Sequence, residues 1–393
     1  MKQVLVISMF LIALIMSGCS VEEPVAESGK QPAQTDPNYV SLNEALNAAE
    51  SYFSGIYGSK TRSSRKISNV EVYNLRKTRG SLDEYGYYVV NYEDDGGFAL
   101  LSADRRRNAV YAISDEGSIS LSDTLYNEGL SWYLNEFLPK QGASDRLIVM
   151  PDTTKMIPIT GDKYFYYTTC APLLNGFMRK FNQTSPYNKY CFTKDGQKAM
   201  VGCLPVAVGT FIGYNKWPNQ LAGYNFNWDE MYGNSTHDSW YRLLEIVGRS
   251  EYLNAQYGIY ATYAYMHTAK NMLAKIGYEN VRYRTFNEDD AFNELKNSRL
   301  LILYGERSTG AHAWVVDGSS RRATELALPS IEAGHPVYRY EDFYHCVWGW
   351  GGQSNGYFLY NNKLGGVAHE YDPDTNAAGH VYENLKILSG EKK

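Results

Sequence analysis

The sequence predicts an α+β protein in two parts: a compact unit, then a larger two-lobed domain with a cleft between its lobes. Three observations carry this. A capping box opens an amphipathic helix, and short strand-like runs follow it. The texture changes near residue 160, beyond which lie all seven histidines and four of the five cysteines. In that second part, helix-compatible stretches come first and strand-like runs afterwards, as in segregated α+β layers. At 393 residues the chain also exceeds the size at which a single core usually stops growing, which points to two domains.

Residues 1–18 read as an export signal: Lys2, an apolar run from Val4 to Met16, then Ser17-Gly18 before Cys19. The run is shorter than the roughly 20 residues of a membrane span. Met16-Ser17-Gly18-Cys19 resembles a bacterial lipobox, with Met in place of the more usual Leu. It predicts lipidation of Cys19 and anchorage of an exported protein at an outer membrane or cell surface; the other reading is an ordinary signal with an incidental cysteine. Residues 19–37, rich in Glu, Pro, Gln and Ser, read as a solvated tether.

Ser41-Leu42-Asn43-Glu44 is a capping box, and Leu42, Ala45, Leu46, Ala49, Tyr52 and Phe53 follow at helical spacing. Strand-like runs come at about 68–75, 86–92, 97–102 and 109–113, with Asp94-Asp95-Gly96-Gly97 as the hairpin turn between the middle pair. A helical stretch at about 122–138 contains Leu125, Leu130, Trp132, Tyr133 and Phe137. This unit has no Cys and no His, so the chemistry belongs to the second half. After a polar connection at 140–160, Cys203 to Trp217 is apolar and helix-compatible, stopped by Pro218. Further helices are expected near 238–248, 258–277 and 288–297, and strands at about 299–305, 312–317, 336–349, 356–360 and 380–388.

With 38 basic and 43 acidic residues interspersed and a formal charge of −5, the chain shows no basic footprint for nucleic acid. Thirty-five Tyr against 14 Phe suit wet clefts that bind peptide or glycan. Cys170, Cys191, Cys203 and Cys346 are too few for a disulfide scaffold, though an exported protein can pair them. No His/Cys cluster has zinc-site spacing, and neither metal nor organic cofactor is expected.

A thiol becomes nucleophilic when a helix N-terminus and a nearby imidazolium favour the thiolate. Cys203 meets the first condition: Gly202 permits a tight turn before it, and Pro205 suits a first helical turn. The plain alternative is a buried cysteine opening an apolar helix. Among the histidines, His312 begins a strand-like run after Ser308-Thr309-Gly310 and suits a cleft rim; His345 is its rival.

The ordered set Gln183…Pro186-Tyr187-Asn188…Gly202-Cys203, Ala311-His312-Ala313-Trp314-Val315-Val316-Asp317-Gly318 and Trp348-Gly349-Trp350-Gly351-Gly352…Asn355-Gly356-Tyr357-Phe358 resembles the streptopain family of papain-like cysteine peptidases. Residues 41–140, with Tyr87–Asn91 and Gly97–Asp104, resemble that family's inhibitory propeptide. The resemblance implies a papain-like two-lobed domain that cleaves protein or peptide substrates through an acyl-enzyme. Cys203 would be the nucleophile and His312 its base. Gln183 would donate to the oxyanion, and Trp348 and Trp350 would wall the histidine's side of the cleft. The chain then divides into signal 1–18, tether 19–37, inhibitory prodomain 38–150 and peptidase 155–393. The prodomain is expected against the cleft, displacing part of the active-site loop. Three positions depart from the family: Phe181 in place of Trp, Val347 in place of Asn, and Leu-Pro-Val-Ala-Val after the nucleophile. Because Val347 cannot hydrogen-bond through its side chain, orientation of His312 falls to Trp348 or to a backbone carbonyl. The rival reading is a catalytically weak or inactive relative serving as a surface binding lipoprotein, and a third is a glycan-binding lipoprotein.

Overall fold

The structure, a computed structural model, describes residues 37–58, 65–73, 86–125, 127–138, 157–158, 165–307, 310–327, 337–366 and 384–393. The signal, Cys19 and most of the 139–164 connection lie outside them. No helix among the described residues is long and apolar enough to cross a membrane.

The capping box at Ser41 forms: the Ser41 hydroxyl accepts from the Glu44 N–H, and the Glu44 carboxylate accepts from the Ser41 N–H. Two otherwise orphaned helix-end donors are thereby satisfied. Helix α1 (Leu42–Tyr57) then buries Ala45, Ala49, Tyr52, Phe53 and Ile56 on one face. Strands β1 (Ile67–Tyr73), β2 (Tyr87–Tyr92), β3 (Phe98–Ser102) and β4 (Val110–Ser114) follow as an antiparallel meander. A 3₁₀ turn at Leu121–Leu125 leads into α2 (Glu128–Phe137), where one helix was expected over 122–138. The break falls at Asn127, whose side chain caps α2 by accepting from the Leu130 N–H.

The second half contains β5 (Ile157–Pro158), β6 (Phe165–Cys170), α3 (Cys203–Asn215), β7 (Gln220–Leu221), β8 (Tyr224–Asn225), α4 (Trp228–Gly233), α5 (Asp238–Gly248), α6 (Met266–Lys275), β9 (Tyr278–Thr285), α7 (Glu288–Lys296), β10 (Leu301–Arg307), β11 (Gly310–Ala327), β12 (Val337–Val347), β13 (Gly356–Gly366) and β14 (Leu385–Lys392). The helix expected over 258–277 starts only at Met266. Ahead of it the Thr262 hydroxyl donates to the Met200 carbonyl and accepts from the Gly258 N–H, a local arrangement that competes with helix. Strand β9 went unforeseen because its exposed Glu279 and Arg282 break the apolar pattern, as suits an edge strand.

One antiparallel sheet joins both halves, in the order β1-β2-β3-β4-β13-β12-β11-β10-β14-β9, with the junction at Ala112–Phe358 and Ile113–Tyr357. Alternation along each strand sorts the core by face. Tyr87, Val89, Trp314, Val316, Phe358 and Tyr360 pack with α2 and α7; Tyr88, Val90, Val315, Tyr357 and Leu359 pack on the opposite face, where α1 and α3 lie. A buried ion pair between Arg322 and Glu341 ties α1 to this frame, because the Tyr52 hydroxyl donates to Glu341 at 2.9 Å.

Candidate active site

Helix α3 is apolar all round and buried from Leu204 to Gly213, which fixes its N-terminus against the sheet. Its N-cap is Gly202 at φ +95°, a conformation that L side chains rarely adopt, and a Cβ there would lie 2.9 Å from Thr262. The turn delivers half-buried Cys203 to the first helical position. Strand β11 delivers His312, 2% exposed, on the face shared with Trp314.

Cys203 and His312 line one cavity, and each shifts the titration of the other. Burial alone would push the thiol up, but the imidazolium charge, a hydrogen bond from the ring and the Ala313 N–H outweigh it and hold Cys203 below its ordinary value. Burial likewise works against the imidazolium; the Cys203 thiolate, then Glu128 and the Trp348 carbonyl, raise His312 above its ordinary value. Both shifts favour the thiolate–imidazolium form of the pair.

The other candidates fall around this pair. Gln183, 4% exposed, lines the same cavity of about 250 Å³ as Cys203 and His312, and its Nε2 has no hydrogen-bond partner among the described residues. Trp348 is fully buried, packed between Trp314 and Phe358, with its indole N–H donating to the Ser354 carbonyl at 2.9 Å. It meets His312 through its backbone oxygen, 3.1 Å from Nε2. Trp350 is half-buried and sits by Asn182, which brackets Gln183. His345 stands apart, buried and paired with Asp317 at 2.5 Å. Among the described residues Cys170, Cys191, Cys203 and Cys346 form no disulfide, and burial pushes the Cys191 thiol up to about 12.

The cavity also has a wall that sequence reasoning missed. Glu128, Ser131 and Trp132 of α2 line it, with a Glu128 carboxylate oxygen 3.5 Å from His312 Nδ1. A Cβ on Gly129 would lie 2.6 Å from both His312 Cδ2 and Trp348 Cε3, so only glycine lets α2 approach this closely. Just before it, Asp123 accepts from Gln353 at 3.1 Å and from Ser354 at 3.0 Å, gripping the loop that carries Trp348. The N-terminal unit covers the Cys203–His312 pair. Nothing local marks Glu128-Gly129 for this contact, since its partners lie far along the chain.

The profile of the Peptidase C10 family matches residues 181–243 and 222–358, and that of the Spi protease inhibitor matches residues 37–138. Streptopain of Streptococcus pyogenes is 22% identical over 330 residues, covering 71% of this chain and 75% of its own length. The thiol protease/hemagglutinin PrtT of Porphyromonas gingivalis is 22% identical over 365 residues, covering 82% of this chain and 39% of its own. A prointerpain A fragment from Prevotella intermedia superposes with a TM-score of 0.49 at 19% identity, covering 82% of this chain and 98% of that one.

Proposed function

From the premise that the chain belongs to the Peptidase C10 family and is a cysteine peptidase with an N-terminal inhibitor segment, we propose that Cys203 is its nucleophile and that residues 38–150 hold it latent as a zymogen. The thiolate attacks a peptide carbonyl, and His312 protonates the leaving amine. Water, activated by the same imidazole, then releases the acyl group. The developing oxyanion meets the Gln183 amide and the Cys203 N–H, two donors fixed in advance. Trp348 and Trp350 belong to the loop on the histidine's side, and residues 155–393 form the peptidase.

The observation that carries latency is the seat of α2: Gly129 against His312 and Trp348, with Glu128 beside Nδ1. A polypeptide cannot lie across Cys203 while α2 lines the cleft, and the Glu128 carboxylate opposes formation of the thiolate. The test compares intact and processed chain on unfolded casein. The intact chain is expected to run at a few per cent of the processed rate or less, and equal rates refute latency.

We further infer that residues 1–18 are a signal, that residues 19–37 are a tether, and that lipid on Cys19 anchors an exported protein. The sequence Met16-Ser17-Gly18-Cys19 supports this. Lipidated chain partitions into the membrane fraction, and Cys19→Ala should move it to the soluble fraction. Unchanged partition of that variant rejects the anchor.

A further inference from the structure

We propose that Asn355 is a positioning residue for His312, acting through the main chain of Trp348. This rests on the Cys203–His312 reading above. His312 Nε2 meets the Trp348 carbonyl at 3.1 Å. A carbonyl only accepts, so Nε2 is the nitrogen that carries hydrogen there, and Nδ1 is left to exchange a proton with the Cys203 thiol. The direction of one backbone oxygen therefore sets both the tautomer and the tilt of the ring.

That oxygen is not fixed by a strand ladder. Strand β12 ends at Val347, and the chain turns away through Gly349 at φ +80°. The main chain at Trp348 is held instead by one side chain: the Trp348 N–H, in the peptide just before that carbonyl, donates to Asn355 Oδ1 at 3.1 Å. The other end of the Asn355 side-chain amide is used as well, since Nδ2 donates to the Arg179 carbonyl at 3.0 Å. One partner needs an acceptor and the other a donor, so the orientation of the amide is unambiguous. Asn355 is 3% exposed, and turning it would leave buried polar groups unpaired.

The neighbouring groups cannot replace it. Val347 is 4% exposed with an aliphatic side chain, and the Trp348 indole is committed to the Ser354 carbonyl. The side-chain amide that the family resemblance places at position 347 is thus replaced by one that acts a peptide unit away. The charged groups facing the ring are Cys203 from α3 and, in the precursor, Glu128 from α2. With α2 removed, the Trp348 carbonyl is the acceptor that remains, besides the thiolate, among the groups of the described residues that raise His312.

Asn355→Ala and Asn355→Asp, made in the full precursor and then processed, test the proposal. Asn355→Ala should lower kcat about tenfold with KM nearly unchanged, because the ring loses its orientation after substrate has bound. It should also move the alkaline limb of kcat/KM to lower pH by about half a unit. An imidazolium without its acceptor gives up its proton earlier. Asn355→Asp keeps an acceptor for the Trp348 N–H but sets a second oxygen against the Arg179 carbonyl, so it should recover part of kcat and move the alkaline limb upward. Wild-type kcat and alkaline limb in Asn355→Ala overturn the proposal. So does equal impairment of both variants with an unmoved limb, which is the mark of a purely structural role. If processed wild-type chain lacks Cys203-dependent activity, the function proposed above fails instead, and the two failures are distinct.

Discussion

An intact precursor carrying Gly129→Leu is expected to hydrolyse casein at least tenfold faster than the wild-type precursor, without cleavage of the chain. Two effects oppose each other at this position. Leucine is the better helix former by somewhat under about 1 kcal/mol, which would strengthen α2 and tighten latency. Against that, its Cβ would lie 2.6 Å from two side chains, His312 at 2% exposure and Trp348 at 0%. Trp348 is packed between Trp314 and Phe358 and has no room to yield. Overpacking of this kind costs about 1–3 kcal/mol, and the remaining leucine atoms add to it, so the clash wins. The Glu128–His312 contact is the weaker restraint. Its carboxylate is 58% exposed, and solvent-screened pairs contribute about 1 kcal/mol or less. Leu130, Trp132 and Tyr133 hold α2 to the sheet from another side, so the substitution disturbs the seat and not the fold of the N-terminal unit. The assay is casein hydrolysis with the chain shown intact by gel. A folded Gly129→Leu precursor as silent as wild type would remove Gly129 from the account of latency.

Cys203→Ala should lower the activity of processed chain by roughly four to six orders of magnitude, about 5–8 kcal/mol of transition-state stabilisation. The size follows from the mechanism. Without sulfur there is no acyl-enzyme, and neither Gln183 nor His312 supplies a substitute nucleophile. Two other thiols are poor substitutes: Cys346 is buried against Tyr360, and burial pushes both Cys346 and Cys191 up, away from thiolate. Stability should change little, because alanine fits the first turn of α3 and Cys203 is only half-buried. Casein hydrolysis by Cys203→Ala at even a hundredth of the wild-type rate would place the nucleophile elsewhere.

What was legible in the sequence was local or periodic. Helix α1 announces itself through Ser41 and Glu44, and α3 through its unbroken apolar run ending at Pro218. The ordered motifs pointed to Cys203, His312 and Gln183, which the fold brings to one cavity. What was not legible depends on backbone or on contacts between distant segments. A carbonyl such as that of Trp348 has no residue signature, so the sequence left the orientation of His312 open between the Trp348 side chain and a backbone carbonyl. Asn355 stood within the recognised motif, yet its hydrogen bonds to Trp348 and Arg179 follow only from the turn after β12. Gly129 reads as a weak point in a helix, and its value appears only where α2 meets His312. Polar β9 and the Thr262 turn failed for a simpler reason: an edge strand tolerates charge, and a side-chain hydrogen bond can outcompete helix.

Cysteine labelling reads out directly whether α2 covers a reactive Cys203 beside His312. Intact and processed chains are treated at neutral pH with iodoacetamide or with a peptidyl thiol-reactive probe, and the modified residue is mapped by mass spectrometry. Iodoacetamide, small enough for the cavity beside α2, should modify Cys203 in both forms. The peptidyl probe should modify Cys203 only after processing. Labelling of Cys203 by the peptidyl probe at equal rates in both forms, or preferential labelling of Cys170 by either reagent, would contradict the account.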